Sequence, residues 1–248
     1  LKLLPFFKEE LLGFVKLFFP PTCPVCRSHH PLRAFESGLC DACLENMRPL
    51  SSPCCTICCL PYEGPAGSDH RCESCLKYPP PFSRVIAFGV YTGLLREAVH
   101  RFKYEEAFYL HRPLGRLMAT AVTEKLQADL PDLIIPVPLH LKKLRERTYN
   151  QSLLLARTLG KTLKIPVKAQ GLERTRPTLS QQGLKSEERK RNLKGAFSLN
   201  EEVKDKRILL VDDVLTTGTT ARECSHILIK SGARDVYVVV LARAAKYF

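Results

Sequence analysis

No apolar stretch in these 248 residues is long enough to cross a bilayer. The longest, residues 11–19, is interrupted by Lys16, and a transmembrane helix needs roughly 20 apolar residues. Glu9 and Glu10 stand just upstream and no small-residue cleavage site follows, so no secretory signal is expected there. An acidic excess is missing too: 38 Lys/Arg face 25 Asp/Glu, a net +13, which points to anionic partners. From residue 76 onward cysteine is almost absent, with Cys224 standing alone. The composition is neither disordered nor collagen-like. With 45% hydrophobic and 25% charged residues, the chain can build one or two domains with proper cores.

The charge is unevenly placed. Residues 1–80 hold 8 Lys/Arg and 8 acids, so the whole excess belongs to residues 81–248, with 30 against 17. Within that part, residues 140–195 carry 15 Lys/Arg against 4 acids. So concentrated a basic segment suits a phosphate-rich ligand or nucleic acid; ordinary solvated helix faces are the plainer explanation.

The other ten cysteines lie between Cys23 and Cys75. Four Cys-x-x-Cys pairs stand out: Cys23/Cys26, Cys40/Cys43, Cys55/Cys58 and Cys72/Cys75. Thirteen residues separate the pairs in each half, and the second set repeats the first 32 residues later. Pro21 matches Pro53, so a small unit is duplicated. A Cys-x-x-Cys turn brings two thiolates to one tetrahedral ion, and a second pair closes the site, which is the arrangement of structural zinc. Disulfides suit secreted chains and nothing here points to secretion. Cys54 and Cys59 are then spectators, and His29, His30 and His70 are replacement ligands at most. Each ion draws its sulfurs either from one repeat or from both.

Upstream, Phe6, Phe7, Leu11, Phe14, Val15 and Phe18 recur at near-helical spacing, predicting an amphipathic helix over residues 1–19. The ribbons occupy 20–80, and Pro79, Pro80 and Pro81 mark a boundary. Residues 81–248 then alternate. Strands are predicted at 83–91, 133–137, 166–169, 207–211 and 235–241, and helices at 93–104, 109–126, 150–163 and 219–230. A basic loop follows the second strand. Such alternation implies an α/β domain, a parallel sheet flanked by helices on both faces. Cys224 falls on an apolar helix face and is expected in the core. No Ser–His–Asp arrangement is argued by any local motif.

The chemistry sits after strand 207–211, where ligands of open α/β sheets bind. Asp212 and Asp213 can accept hydrogen bonds from vicinal hydroxyls. Thr216, Thr217, Gly218, Thr219 and Thr220 then open a helix whose free amides and hydroxyls make a phosphate cradle. A diol beside a phosphate spells ribose 5-phosphate. A receiver domain carries its acid pair near its start, whereas only 35 residues follow Asp213 here. A Walker B strand would need a Walker A loop, and Leu155 stands where its first Gly belongs.

These motifs resemble the phosphoribosyl pyrophosphate (PRPP) fingerprint of type I phosphoribosyltransferases. Over nearly its full length the chain resembles the ComF family, a double zinc ribbon joined to such a domain that includes competence proteins for DNA uptake. Tyr91, Arg96, Lys103, Tyr104, Pro136, Pro138, Arg145, Arg147, Asn150, Gln151, Arg174, Thr178, Gln181 and Arg189 also fit. Thr148 and Cys59 depart from it, each standing where the family has Gly, and Cys59 is expected to matter little. The resemblance implies that Asp212 and Asp213 hold the ribose hydroxyls and residues 216–220 the 5-phosphate. It implies Mg²⁺ carried with the pyrophosphate, Arg145 and Arg147 neutralising that leaving group, and Arg174 opening a flexible loop that runs to Lys194. Phe102, Tyr104, Tyr149 and Phe197 could stack on bases, though core or hinge packing is the simpler role. The implied partners are PRPP, single-stranded DNA and DNA-uptake proteins, and the reduced cysteines imply the cytoplasm. An active transferase acting on a base or amine and a non-catalytic PRPP sensor are the alternatives. Between residues 83 and 132 no base-reading hood is recognisable.

Overall fold

The computed structural model describes residues 22–29, 38–62, 67–127, 129–139, 141–175 and 195–245. The helix expected over residues 1–19, His30, His140 and loop residues 176–194 lie outside them. Each zinc ribbon closes on a short helix, α1 (Asp41–Asn46) in the first and α2 (Glu73–Lys77) in the second. Both begin one residue after a cysteine, Cys40 or Cys72, so the second Cys-x-x-Cys of each repeat is also a helix start. At Cys40 the sulfur itself accepts the Cys43 amide as an N-cap.

Then come β1 (Arg84–Val90), α3 (Gly93–Tyr104), a 3₁₀ turn (Phe108–Leu110), α4 (His111–Leu126), β2 (Leu133–Pro136), α5 (Leu141–Arg147) and α6 (Gln151–Leu163). The chain continues through β3 (Leu172–Arg174), β4 (Phe197–Leu199), β5 (Arg207–Val211), β6 (Val214–Leu215), α7 (Thr219–Lys230) and β7 (Asp235–Arg243). The sheet runs β1-β7-β5-β2, with β6 pairing the end of β7, and every pair in it is parallel. Crossover connections cover both faces of a parallel sheet, so its strands are apolar throughout; all of β5 from Ile208 and most of β7 are buried. The α/β architecture is the one the alternation predicts.

Three local features differ. Residues 141–147 form α5 instead of a basic loop: Leu141 and Leu144 lie one turn apart among Lys, Arg and Glu, all strong helix formers. Residues 166–169 make no strand, only a bridge from Val167 to Ile134, in keeping with Pro166, which has no N–H to give a ladder. The antiparallel pair β3–β4 consists of three-residue strands, too short for periodicity to register.

Alternate strand residues feed two cores. Ile86, Ile134, Leu209, Val211, Val239 and Leu241 join α3, α4 and α6 on one face, and Cys23, Val25, Leu39 and Met47 of the first ribbon belong to the same cluster. Val85, Ala87, Ile135, Leu210, Val238 and Val240 join α7 on the other, together with Cys55, Cys58, Cys72 and Cys75 of the second. Cys224 is fully buried there. The outer edge of β1 is sealed by the ribbons as well. Leu50 N donates to Phe88 O at 2.8 Å and Val90 N to Arg48 O at 3.2 Å. Val85 N donates to Ile57 O at 2.7 Å, and Cys59 Sγ to Val85 O at 2.8 Å. Gly89 permits this approach, because a Cβ there would stand 2.8 Å from Arg48 O.

Both departures from the family's glycines fall in left-handed backbone: Thr148 at φ 63° and Cys59 at φ 53°. That conformation costs an L-residue roughly 1–2 kcal/mol, and a β-branched residue tolerates it worst. Cys59 uses its side chain to satisfy the edge strand. Thr148 is exposed, and its hydroxyl bonds the carbonyl just before it, Arg147 O, at 2.6 Å. Thr148→Gly should therefore raise the melting temperature by about 2–4 °C, the effect of a net ~1 kcal/mol in a chain of this size. An unchanged or lower value in thermal melts would contradict the strain.

Candidate functional site

Two groups of four cysteines converge: Cys23, Cys26, Cys40 and Cys43, and Cys55, Cys58, Cys72 and Cys75, with all sulfurs in each group within 4.8 Å of one another. Each set comes wholly from one repeat. Cys23–Cys43, Cys26–Cys40 and Cys58–Cys72 are 3.7, 3.6 and 3.7 Å apart at Sγ. A tetrahedron with Zn–S of about 2.3 Å has edges of ~3.8 Å, whereas a disulfide is about 2.05 Å, so the donor sets fit structural zinc. Amides tighten the second site, where Cys58 N and Cys72 N both donate to Cys55 Sγ at 3.4 and 3.3 Å. Cys54 and Cys59 stay outside the clusters. His29 and His70 are exposed, and His70 stacks on Tyr62 with ring centroids 4.2 Å apart.

The second site is a cavity of about 610 Å³ at the carboxyl ends of the strands. The acids, residues 216–220, Arg147 and Arg174 all line it. Arg145 is exposed on α5 and is not among the lining residues, which instead include Lys143, one turn before Arg147. Gly218 adopts φ 76° to open α7, whose first turn has no side-chain cap. The first amides of that helix thus have no partner within it. Thr217 and Thr219 bond each other through their hydroxyls at 2.9 Å.

Opposite the acids stands α3, from the stretch in which no hood was recognised. Its Arg96, His100, Lys103 and Tyr104 wall the cavity. Lys103 Nζ lies 2.7 Å from Asp213 Oδ1, with both side chains largely buried at 14% and 11% exposure. Asp212 Oδ1 accepts Ser152 Oγ at 3.1 Å and Asp213 N at 2.9 Å. Burial, then the neighbouring Asp213 carboxylate, push the Asp212 carboxyl up to about 7. Burial works against the Lys103 charge, but Asp213 and Asp212 more than offset it and raise Lys103 above its usual range. Lys143 moves the other way: burial and the charges of Arg147, Arg174 and Lys103 hold it down. Among the described residues five cations, Arg96, Lys103, Lys143, Arg147 and Arg174, line the cavity with two aspartates, an excess that favours a polyanionic ligand.

Arg147 is held in place. It donates to Gln151 Oε1 at 3.2 Å and to Tyr104 Oη at 3.0 Å, and its guanidinium lies 4.8 Å from the Tyr104 ring centroid. Asn150 caps α6 and donates to Val137 O at 3.2 Å, fixing the turn behind it. Of the aromatics named for stacking, Phe102 and Phe197 are buried and Tyr149 is half-buried, while Tyr104 is exposed at the cavity mouth. Phe108 and Tyr109, which the sequence did not single out, are exposed too, and Arg101 donates to Tyr109 Oη at 3.1 Å.

Two outcomes follow from this geometry. In an unfolded chain an aspartate ionises near 3.8, whereas folded Asp212 keeps its proton to about 7. Its contribution to stability is therefore full below about 3.8, falls as pH rises through that window and is level above it. Asp212→Asn removes this dependence, so its melting temperature should gain on wild type between those pH values and then run parallel; parallel curves throughout would refute the shift. The folded chain should also carry two zinc ions by elemental analysis. Because each cluster draws on one repeat, Cys26→Ser or Cys58→Ser should each remove one ion, and loss of both from either variant would overturn that pairing.

The double zinc ribbon domain family matches residues 14–76 and the phosphoribosyl transferase domain family residues 150–247. Competence protein F of Haemophilus influenzae is 36% identical over 238 residues, covering 92% of this chain and 99% of that protein. DNA utilization protein YhgH of Escherichia coli K12 is 34% identical over 231 residues, with the same coverage of both chains. An amidophosphoribosyltransferase of Saccharomyces cerevisiae aligns at 24% over 188 residues, 71% of this chain and 34% of the yeast protein. With both modules matched and such identity along almost the whole length, the chain belongs to the ComF family, a double zinc ribbon joined to a phosphoribosyltransferase-type domain.

Proposed function

We propose that this protein binds PRPP in the cavity beneath α3 and handles single-stranded DNA on the adjoining surface, as an accessory to DNA uptake in competence. One observation carries the first part: an acid pair, a threonine-rich helix start and five cations share one cavity. Asp212 and Asp213 would accept the ribose hydroxyls, and Thr216, Thr217, Gly218, Thr219 and Thr220 would take the 5-phosphate. Lys143, Arg147 and Arg174 would face the pyrophosphate, with Arg145 at the outer edge. Mg²⁺ would arrive on the pyrophosphate oxygens, since Asp213 is already engaged by Lys103; the ion supplies further neutralisation of the diphosphate. Should transfer occur, the cations would stabilise the departing pyrophosphate, and Tyr104 with His100 would offer a face for an acceptor base.

The DNA part is supported by Tyr104, Phe108 and Tyr109, all exposed, with Arg147 stacked on the Tyr104 ring. Aromatic faces interleaved with Arg suit single strands, which bind by stacking and phosphate contacts. The names of the two bacterial relatives, a competence protein and a DNA utilization protein, support the cellular role. Among the described residues no helix is long and apolar enough to cross a membrane, and reduced zinc-binding cysteines suit the cytoplasm.

Calorimetry with PRPP and Mg²⁺ should give saturable binding that Asp213→Asn weakens about tenfold or more, as loss of a charged hydrogen-bonding group does. No binding would dispose of the PRPP reading, and pyrophosphate release with any base or amine would make the protein a transferase. Oligonucleotide retention should fall steeply between about 50 and 200 mM salt; no retention at the lower value would remove the DNA part.

A further inference from the structure

Arg243, the last residue of β7, carries a buried charge that pairs with no carboxylate among the described residues. It is only 7% exposed. Its Nε donates to Cys58 O at 2.9 Å, and its Nη1 reaches Leu215 O at 3.0 Å, Thr216 O at 2.6 Å and Ala244 O at 2.5 Å. Cys58 is a ligand of the second four-cysteine cluster, and Thr216 opens the loop assigned to the 5-phosphate. One guanidinium therefore spans from the metal knuckle to the phosphate loop. The loop is otherwise tied here by the short pairing of Val214 and Leu215 with Ala242 and Arg243.

A buried guanidinium needs compensating charge, because desolvating an unpaired ion is expensive. Zinc bound by four thiolates carries a net charge of −2, and the second cluster lies against Arg243. The metal-loaded ribbon thus supplies the countercharge that makes this position tolerable for an arginine. Among the described residues the first ribbon shows no such link; a counterpart is Arg101, whose Nη1 donates to Val25 O at 2.9 Å on the α3 side.

We infer that Arg243 is a positioning residue that couples zinc in the second ribbon to the phosphate loop, so that metal occupancy there sets the affinity for ribose 5-phosphate. The inference rests on the reading of residues 216–220 as the 5-phosphate site. The coupling is reciprocal by thermodynamic necessity: a ligand that steadies the loop must also steady the metal.

The full zinc-loaded chain is the material for the test, with ribose 5-phosphate as the probe. In calorimetry, Arg243→Met should bind it about tenfold more weakly while retaining its fold by circular dichroism, a typical size for allosteric coupling. Arg243→Lys, keeping the charge but not the fork, should fall between the two. On the unmodified protein a chromogenic chelator should extract zinc in two phases, and saturating ribose 5-phosphate should slow one phase several-fold and leave the other unchanged. This second measurement decides the matter even if Arg243→Met fails to fold. Wild-type binding with both phases unaffected by ligand, or a folded Arg243→Met of undiminished affinity, would overturn the coupling alone. No binding of ribose 5-phosphate to the wild type would overturn the phosphate-site reading and the coupling with it.

Discussion

A parallel sheet cannot stop without leaving a row of backbone donors and acceptors at its margin. At β1 that margin is closed by the ribbons, and much of the remaining architecture follows. To reach the edge, the segment around Leu50 runs antiparallel to β1, and the third knuckle lays Ile57 and Cys59 against Val85. This brings the duplicated units to opposite sides of the sheet. The first deepens the core under α3 and α4, the second the core under α7. The metal clusters are thus part of the hydrophobic interior on both faces rather than appendages to a finished domain.

The other end of the sheet is organised by charge. Two adjacent acids at the end of β5 could not both be ionised in a buried position unaided. Lys103, delivered by α3, answers Asp213, and Asp212 is left as the softer partner with Ser152 and a backbone amide around it. Lys143, Arg147 and Arg174 gather across the cavity. Aromatic stacking and the Gln151 carbonyl hold Arg147 in that group without neutralising it. A positive field is therefore built in advance of any ligand, which is the arrangement electrostatic stabilisation requires.

Much of this was legible in the sequence, for identifiable reasons. Helices α3 and α7 and strand β5 keep their expected limits, because each has clear periodicity and punctuation. The cysteine repeat specified the eight ligands, though not their division between two sets, which needed the fold, and the Asp-Asp and Thr-Thr-Gly-Thr-Thr run specified the ligand end of the sheet. Illegible were the parts that depend on distant chain segments meeting. Lys103 carries no local sign that it will face Asp213. Arg243 lies beyond the expected end of the last strand at Leu241, and nothing in its neighbours marks it as buried. The glycine substituted by Cys59 looked unimportant because its cost is a backbone angle and its benefit a hydrogen bond to β1, neither of which is written locally.

The pairing of β1 with β7 joins the beginning and end of the sheet: Arg84 lies beside Tyr237, and the register continues to Val90 and Arg243. A chain emerging from the ribosome thus completes β1 long before the strand that belongs beside it exists. All eight clustered cysteines have also been made by residue 75. During synthesis the ribbons can therefore take up metal and seal the outer edge of β1 while its inner edge waits. Metal supply to the nascent chain, rather than to the finished protein, then governs how long a naked strand is exposed to its neighbours on a crowded polysome.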